Sequence, residues 1–347
     1  MTQTLPEASS TGKKLITVLK FSFFLGLGLL IIWLSLKNLT GEERAQILHS
    51  FKTANYSWVV LAIILGICSH FLRAARWVLF FEPMGFRPKL STTFYAVMVG
   101  YFANMAFPRL GEVTRCGIMS RYEKVPFQKA LGTVVTERAI DMLIFFLLFL
   151  LMFFTQLGTI KEYLDQNIYP QLVAKFGTLH YSRMIFLFLG GLLVFMTGLW
   201  FAVRKKLVAS KTYRKFRNLV IGFWEGLKSL SQVKKPGLFV MYSILIWVLY
   251  FFMLYVIFFC FAETSGLSLG AGLSSLVLGS VGIMITPGGI GLYPAIVQET
   301  LLLYGITKPT GLALGWIAWS AQTLMILVIG GASLLLLSFK RSEDGKA

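Results

Sequence analysis

The chain has 347 residues, 56% hydrophobic and 14% charged, with a formal net charge of +18 and a mean hydropathy of +0.72. Soluble domains carry about 25% charged residues, so a soluble globular protein is excluded, and apolar runs near ~20 residues exclude the short alternating segments of a β-barrel. The basic excess comes with no nucleic-acid-binding module; it lies between apolar runs, where it orients the chain and meets anionic lipid headgroups.

In chain order, residues 15–36 form the first predicted span, preceded by Lys13, Lys14 and Lys20. No small-residue cleavage site follows, so the run reads as a retained helix rather than a signal peptide. The second span, 58–72, ends in HFLRAARW, an inner interfacial belt. Arg73 and Arg76 there either anchor the helix or contact a lipid headgroup. Residues 94–107 are apolar but broken by Pro108 and Gly111 in NMAFPRLGEVTR. The third span covers 140–157. It starts earlier than its apolar run, because Pro126 followed by FQKALGTVVTERAIDML reads as one long helix with proline in its first turn.

The fourth span is 184–203. The segment 204–235 then carries ten basic residues, Arg204 to Lys235, against Glu225 alone. Its apolar residues Phe216, Leu219, Val220, Phe223 and Leu227 recur at helical spacing, which suits an amphipathic helix on the cytoplasmic leaflet; a solvated basic loop is the alternative. The fifth span is 238–261. Residues 273–286 are broken at PGGIG, the helix resumes over 292–304, and the last span is 312–337.

Charge bias fixes direction. Segments 73–89 and 204–235 are basic and belong inside; 158–182 is balanced and belongs outside. Span two therefore ends inside and span three starts inside, so residues 94–121 dip in and return. The same parity makes 273–304 enter from outside and return there. The expected architecture is an all-α polytopic membrane protein of about six transmembrane helices plus two re-entrant helical hairpins. They form one integral membrane domain, an inverted repeat with half-repeats of about 15–157 and 183–337. N- and C-termini are expected in the cytoplasm. This is the organisation of transporters with a site between broken helices near the midplane.

Non-helical backbone inside a bilayer needs protein or a water-filled cavity to satisfy it. PRLGE and PGGIG thus imply a polar interior into which helix N-termini point. Gly288, Gly289 and Gly291 are expected to let backbone approach a ligand, and Gly111 similarly. Arg109 and Arg115 offer planar forks suited to phosphate. Glu112 lies three residues from each. In VVTERAID, Glu137 and Asp141 are i and i+4, with Arg138 beside them. Buried charges need partners, so Arg138 is expected to face Glu112, or Glu137 to face Arg115, unless these groups snorkel to the headgroups. Cys68, Cys116 and Cys260 are too scattered for a disulfide framework or zinc site, and His49, His70 and His180 form no metal-spaced pair; His70 reads as packed or interfacial. No metal and no cofactor is expected.

RAARW at 73–77, N-x3-P-R-x-G-E at 104–112, Arg115, E-R-x2-D at 137–141 and PGGIG at 287–291 together resemble the flippase-like membrane domain. That is the transmembrane region of lysylphosphatidylglycerol synthase, or multiple peptide resistance factor, and of its stand-alone relatives. The resemblance covers nearly the whole chain. It implies translocation of a lipid or lipid-linked glycan between leaflets in a bacterial cytoplasmic membrane. It also implies roles in substrate binding for Asn104, Pro108, Arg109, Glu112, Arg115, Glu137, Arg138, Asp141, Pro287, Gly288, Gly289 and Gly291. Many members carry a glutamate shortly after the glycine motif, where this chain has Pro294; Gln298 or Glu299 offers a substitute a turn later. The chain ends about ten residues after the last span, so the soluble aminoacyl-transferase domain, and with it lipid lysylation, is not expected.

Three functions compete at this stage. One is a flippase for an anionic phospholipid or polyprenyl-phosphate-linked lipid. Another is an intramembrane enzyme for glycosyl or phosphoryl transfer on a lipid-linked substrate. The third is an accessory scaffold of a cell-envelope complex. Membrane lipids with anionic headgroups are the expected partners.

Overall fold

The computed structural model describes residues 39–106, 110–163 and 233–344, with residues 26, 28–34, 37, 165, 166 and 170. The predicted first span is described only in part. The predicted fourth span, nearly all of segment 204–235, and Pro108 and Arg109 lie outside the described residues. Two compact units are present, Met1–Val134 with Val233–Ala347, and Val135–Gln232.

Every regular element among the described residues is a helix. They are α1 (Gly41–Thr53), α2 (Tyr56–Phe81), α3 (Leu90–Ala106), α4 (Leu110–Tyr122), α5 (Phe127–Tyr163), α6 (Pro236–Tyr255), α7 (Leu269–Ile285), α8 (Leu292–Leu302) and α9 (Lys308–Asp344), with short 3-10 turns at Glu82–Met84, Val256–Cys260 and Pro287–Gly289. Local chemistry sets the starts. Thr40 and Glu43 form a reciprocal capping box on α1, Asn55 caps α2, and Ser268 caps α7. Pro126 immediately precedes α5 and Pro236 opens α6, where a missing N–H costs nothing.

Four of these helices are long and apolar enough to cross a membrane: Tyr56–Met84, Phe127–Thr159, Pro236–Cys260 and Lys308–Phe339. They expose large apolar side chains, such as Met142 and Phe154 on α5 and Leu335 and Phe339 on α9. That surface suits hydrocarbon rather than water. The order long helix, broken pair, long helix occurs twice, as α2, α3–α4, α5 and as α6, α7–α8, α9.

The contacts of the first unit give the directions. α2 and α6 pack antiparallel: the Asn55 N–H donates to the Cys260 carbonyl at one end, while Phe80 meets Phe239 and Lys235 lies 3.7 Å from Glu82 at the other. α3 and α4 pack arm on arm, and the Lys89 N–H donates to Glu123 Oε2 at their base. Tyr122 beside that base donates to the Leu337 carbonyl near the end of α9. α7 and α8 also pack on each other, closed by Ser274 and Tyr304 at 2.7 Å. Their base adjoins the start of α9, where Thr310 donates to Glu263. The two broken pairs thus open toward opposite ends of the unit.

At about 1.5 Å per residue, α4 (13 residues) and α8 (11 residues) run roughly 20 and 17 Å, short of a hydrocarbon core of about 30 Å.

Candidate functional site

The first broken pair is built on two glycines. Gly100 of α3 faces Gly111 of α4, and a Cβ at Gly111 would collide with the Gly100 carbonyl oxygen. The Gly111 N–H also donates to Asn104 Oδ1 at 2.7 Å. Asn104 therefore satisfies an otherwise orphaned donor in the first turn of α4. Asn104 and Gly111 lie against each other and hold the two arms together.

The second break follows from backbone conformation. After Ile285 the chain is extended at Thr286, then Gly288 takes φ +62 and Gly291 takes φ +70, a region L-residues rarely adopt. The three glycines do different work. Gly289 is buried against Ile283 and Tyr293, and Gly291 abuts the Gly28 carbonyl and Ile32. Gly288 is exposed with nothing within 4 Å of where a Cβ would sit. So of these expected approach points, Gly288 alone faces open space. Its carbonyl accepts a 2.8 Å bond from Trp319 Nε1, which fixes the tip to α9. Pro294 is buried in the first turn of α8, where its backbone meets Gly315. Gln298 donates to Glu299 Oε1, and Glu299 is exposed.

α3 packs against Pro287–Gly289, and Gly330 of α9 receives Phe102 of α3 eleven residues beyond Trp319.

α2 brings the charges inward. His70, Arg73 and Trp77 recur at i, i+3 and i+7, one face of a helix. All are buried, as is Arg76 at 0% exposure. Arg73 and Arg76 are therefore inside the fold and not in an exposed interfacial belt. Arg76 donates to Ser243 Oγ of α6 at 3.1 Å, and its guanidinium lies 5.7 Å from the Phe239 ring. Arg115, also buried, stacks its guanidinium 4.7 Å over Trp77, whose indole donates to Thr133. Glu112 is half-buried. On α5, Glu137 and Asp141 are buried while Arg138 is exposed.

Sequence reading missed a further group. His70, Tyr101, Trp247, Tyr250, Ser280, Tyr293 and Gln322 line a cavity of about 170 Å³ between α2, α3, α6, α7, α8 and α9. His70 had a signal, its three- and seven-residue spacing to Arg73 and Trp77. The rest come from five other helices and carry none.

The family described as the lysylphosphatidylglycerol synthase TM region matches residues 18–331. The UPF0104 membrane protein MJ1595 of Methanocaldococcus jannaschii is 31% identical over 118 residues, which is 33% of this chain and 35% of the relative. The chain thus matches about a third of the length of that curated relative. No solved structure matches. With its match to nearly the whole helical region and its apolar helices, the chain is an integral membrane protein belonging to the lysylphosphatidylglycerol synthase transmembrane-region family.

Proposed function

We propose that the protein carries an anionic phospholipid or polyprenyl-phosphate-linked lipid between leaflets, past the point where its two broken helix pairs meet. The observation that carries this reading is the contact of α3 with the Pro287–Gly289 tip by two pairs that open toward opposite ends of one unit. Short arms that return to the side they came from are re-entrant, and opposed re-entrant pairs create a site reachable in turn from each face. Family membership supports a membrane lipid as the cargo. Arg109, Arg115 and the first turn of α4 are the groups proposed to meet its phosphate.

The proposed membrane is the cytoplasmic one, with the end holding Arg87, Lys89, Arg121, Lys124, Lys234 and Lys235 inside. The opposite end mixes Glu42, Glu43 and Glu263 with Arg44, Lys52 and Lys308.

Leaflet exchange of labelled lipids in proteoliposomes tests the proposal. Wild type is expected to exchange anionic lipid well above protein-free vesicles. Gly288→Asn, a residue that tolerates positive φ, should fold and slow exchange by filling the open side of the tip. Exchange by wild type no faster than in protein-free vesicles overturns the transport reading.

A further inference from the structure

A groove of about 710 Å³ opens between α1, α2 and α9, apart from the cavity that His70 lines. Leu48 and Phe51 supply its α1 wall, Val59 and Ile63 the α2 wall, and Trp316 and Leu324 the α9 wall. On α9 the lining runs from Leu312 to Leu324, roughly 18 Å of helix. Spread over that length, the volume gives a mean width of roughly 7 Å. A helix with its side chains is about 10–12 Å across and does not fit, whereas a hydrocarbon chain does.

The groove has a headgroup end and a deep end. α2 and α9 both start where Asn55 meets Cys260 and Thr310 meets Glu263. From there the lining deepens into the spans, to Ile63 on α2 and Leu324 on α9. On α1, Glu42, Arg44 and Lys52 are exposed. Such ions belong at a headgroup boundary and not in hydrocarbon, so α1 lies at the shallow end. Arg44 is the one charged residue in the described lining. The walls are otherwise almost wholly apolar, so water would find few partners there. Exposed Ile64 and Leu327, one residue and one turn from lining positions, continue the apolar surface that faces the bilayer.

We infer that this groove is an acyl-chain site for a membrane phospholipid, with the phosphate beside Arg44 and the tail running toward Ile63 and Leu324. A guanidinium suits a phosphate, and three apolar helix faces suit the tail. The lipid is a resident of the fold, bound apart from the two helix breaks, so the inference does not rest on the transport reading. Its tail lies against Trp316, whose ring centroid is 5.4 Å from that of Trp319, the residue that holds the Gly288 carbonyl.

The experiment titrates the purified full chain, in detergent micelles, with a phosphatidylglycerol that carries a photoactivatable diazirine near the end of one acyl chain. After irradiation and digestion, mass spectrometry locates the adducts. They are expected at the deep end, on Ile63 and Leu324, to saturate with lipid, and to be displaced by unlabelled phosphatidylglycerol. Exposed Met142 and Phe154 of α5 should label weakly and without saturation. Ser320 is an exposed lining residue, so Ser320→Trp should fold and remove the groove adducts by filling the space. Leu48→Trp fills it from the α1 wall and gives an independent variant. Arg44→Ala should raise the half-saturating lipid concentration several-fold.

Adducts spread over all exposed apolar faces without saturation overturn the inference, leaving ordinary contact with hydrocarbon. So do groove adducts that survive both filling substitutions, and so does wild-type half-saturation in Arg44→Ala. Adducts absent from the groove while α5 is labelled mean that another segment of the chain covers it, which also overturns the inference. No leaflet exchange enters the readout, so failure here is distinguishable from failure of the transport reading.

Discussion

Asn104 shows how one side chain can decide whether a broken helix is a hairpin. Its carbonyl oxygen holds the Gly111 N–H across the break. Asn104→Ala should cost about 1 kcal/mol, the usual value of a cap, seen as a lower unfolding midpoint in detergent. Two glycines of α4 provide a matched contrast. Gly111→Ala drives a methyl group into the Gly100 backbone oxygen and should destabilise by about 1–3 kcal/mol. Gly117→Ala meets nothing within 4 Å and should be neutral or stabilise by up to about 1 kcal/mol through helix propensity. The carboxylates of α5 divide from the surface charges similarly. Glu137 is fully buried and Arg121 exposed. Glu137→Gln is expected to slow leaflet exchange several-fold while Arg121→Gln leaves it near wild type; equal small effects would make Glu137 an incidental group.

Among the elements, α2 and α6 form an antiparallel pair, each the long helix that precedes a broken pair. Their contact varies in polarity: aromatic at Phe80 and Phe239, polar at Arg76 and Ser243, and ionic between half-buried Glu82 and exposed Lys235. The energetic weights follow burial. Arg76→Ala empties a fully buried volume and removes the bond that Ser243 accepts, although the Ser243 hydroxyl keeps its bond to the Phe239 carbonyl, so a loss of at least about 2 kcal/mol is expected. Lys235→Ala breaks a solvated pair and should cost less than about 1 kcal/mol. Parallel melting curves of the two variants check this ranking. The same helices show the reach of hydropathy. It located the cores of α2, α6 and α9 because runs near ~20 apolar residues have no other soluble use. It ended α2 too early, at about residue 72, because Arg73 and Arg76 look interfacial; burial against Ser243, Phe239 and the neighbouring helices carries α2 on to Phe81.

At the scale of the whole molecule, the two repeats of long helix, broken pair and long helix set a topology that labelling can read. A cysteine at Lys308 should react with a membrane-impermeant reagent in intact cells, and one at Lys235 only after permeabilisation, each against the unsubstituted chain. The reverse pattern would invert the orientation and with it the proposed direction of access. This order rests on charge bias, and the structure adds that the base of α3–α4 lies with Lys235 and the base of α7–α8 with Lys308.

The sequence by itself determined the class of protein, the helical breaks and the family. Each depends on local composition: apolar length, a proline or glycine that stops a helix, and motifs of a few residues. What each motif residue does was decided only by tertiary structure. Gly289 and Gly291 are filled by Tyr293 and the Gly28 backbone, while Gly288 is left open, a difference that identical letters cannot carry. His70 reads as an ordinary packed histidine until Tyr101, Tyr250, Ser280 and Gln322 arrive from four other helices to make a cavity around it. Such an arrangement has no period and no spacing, because it is assembled by packing between residues up to about 250 positions apart.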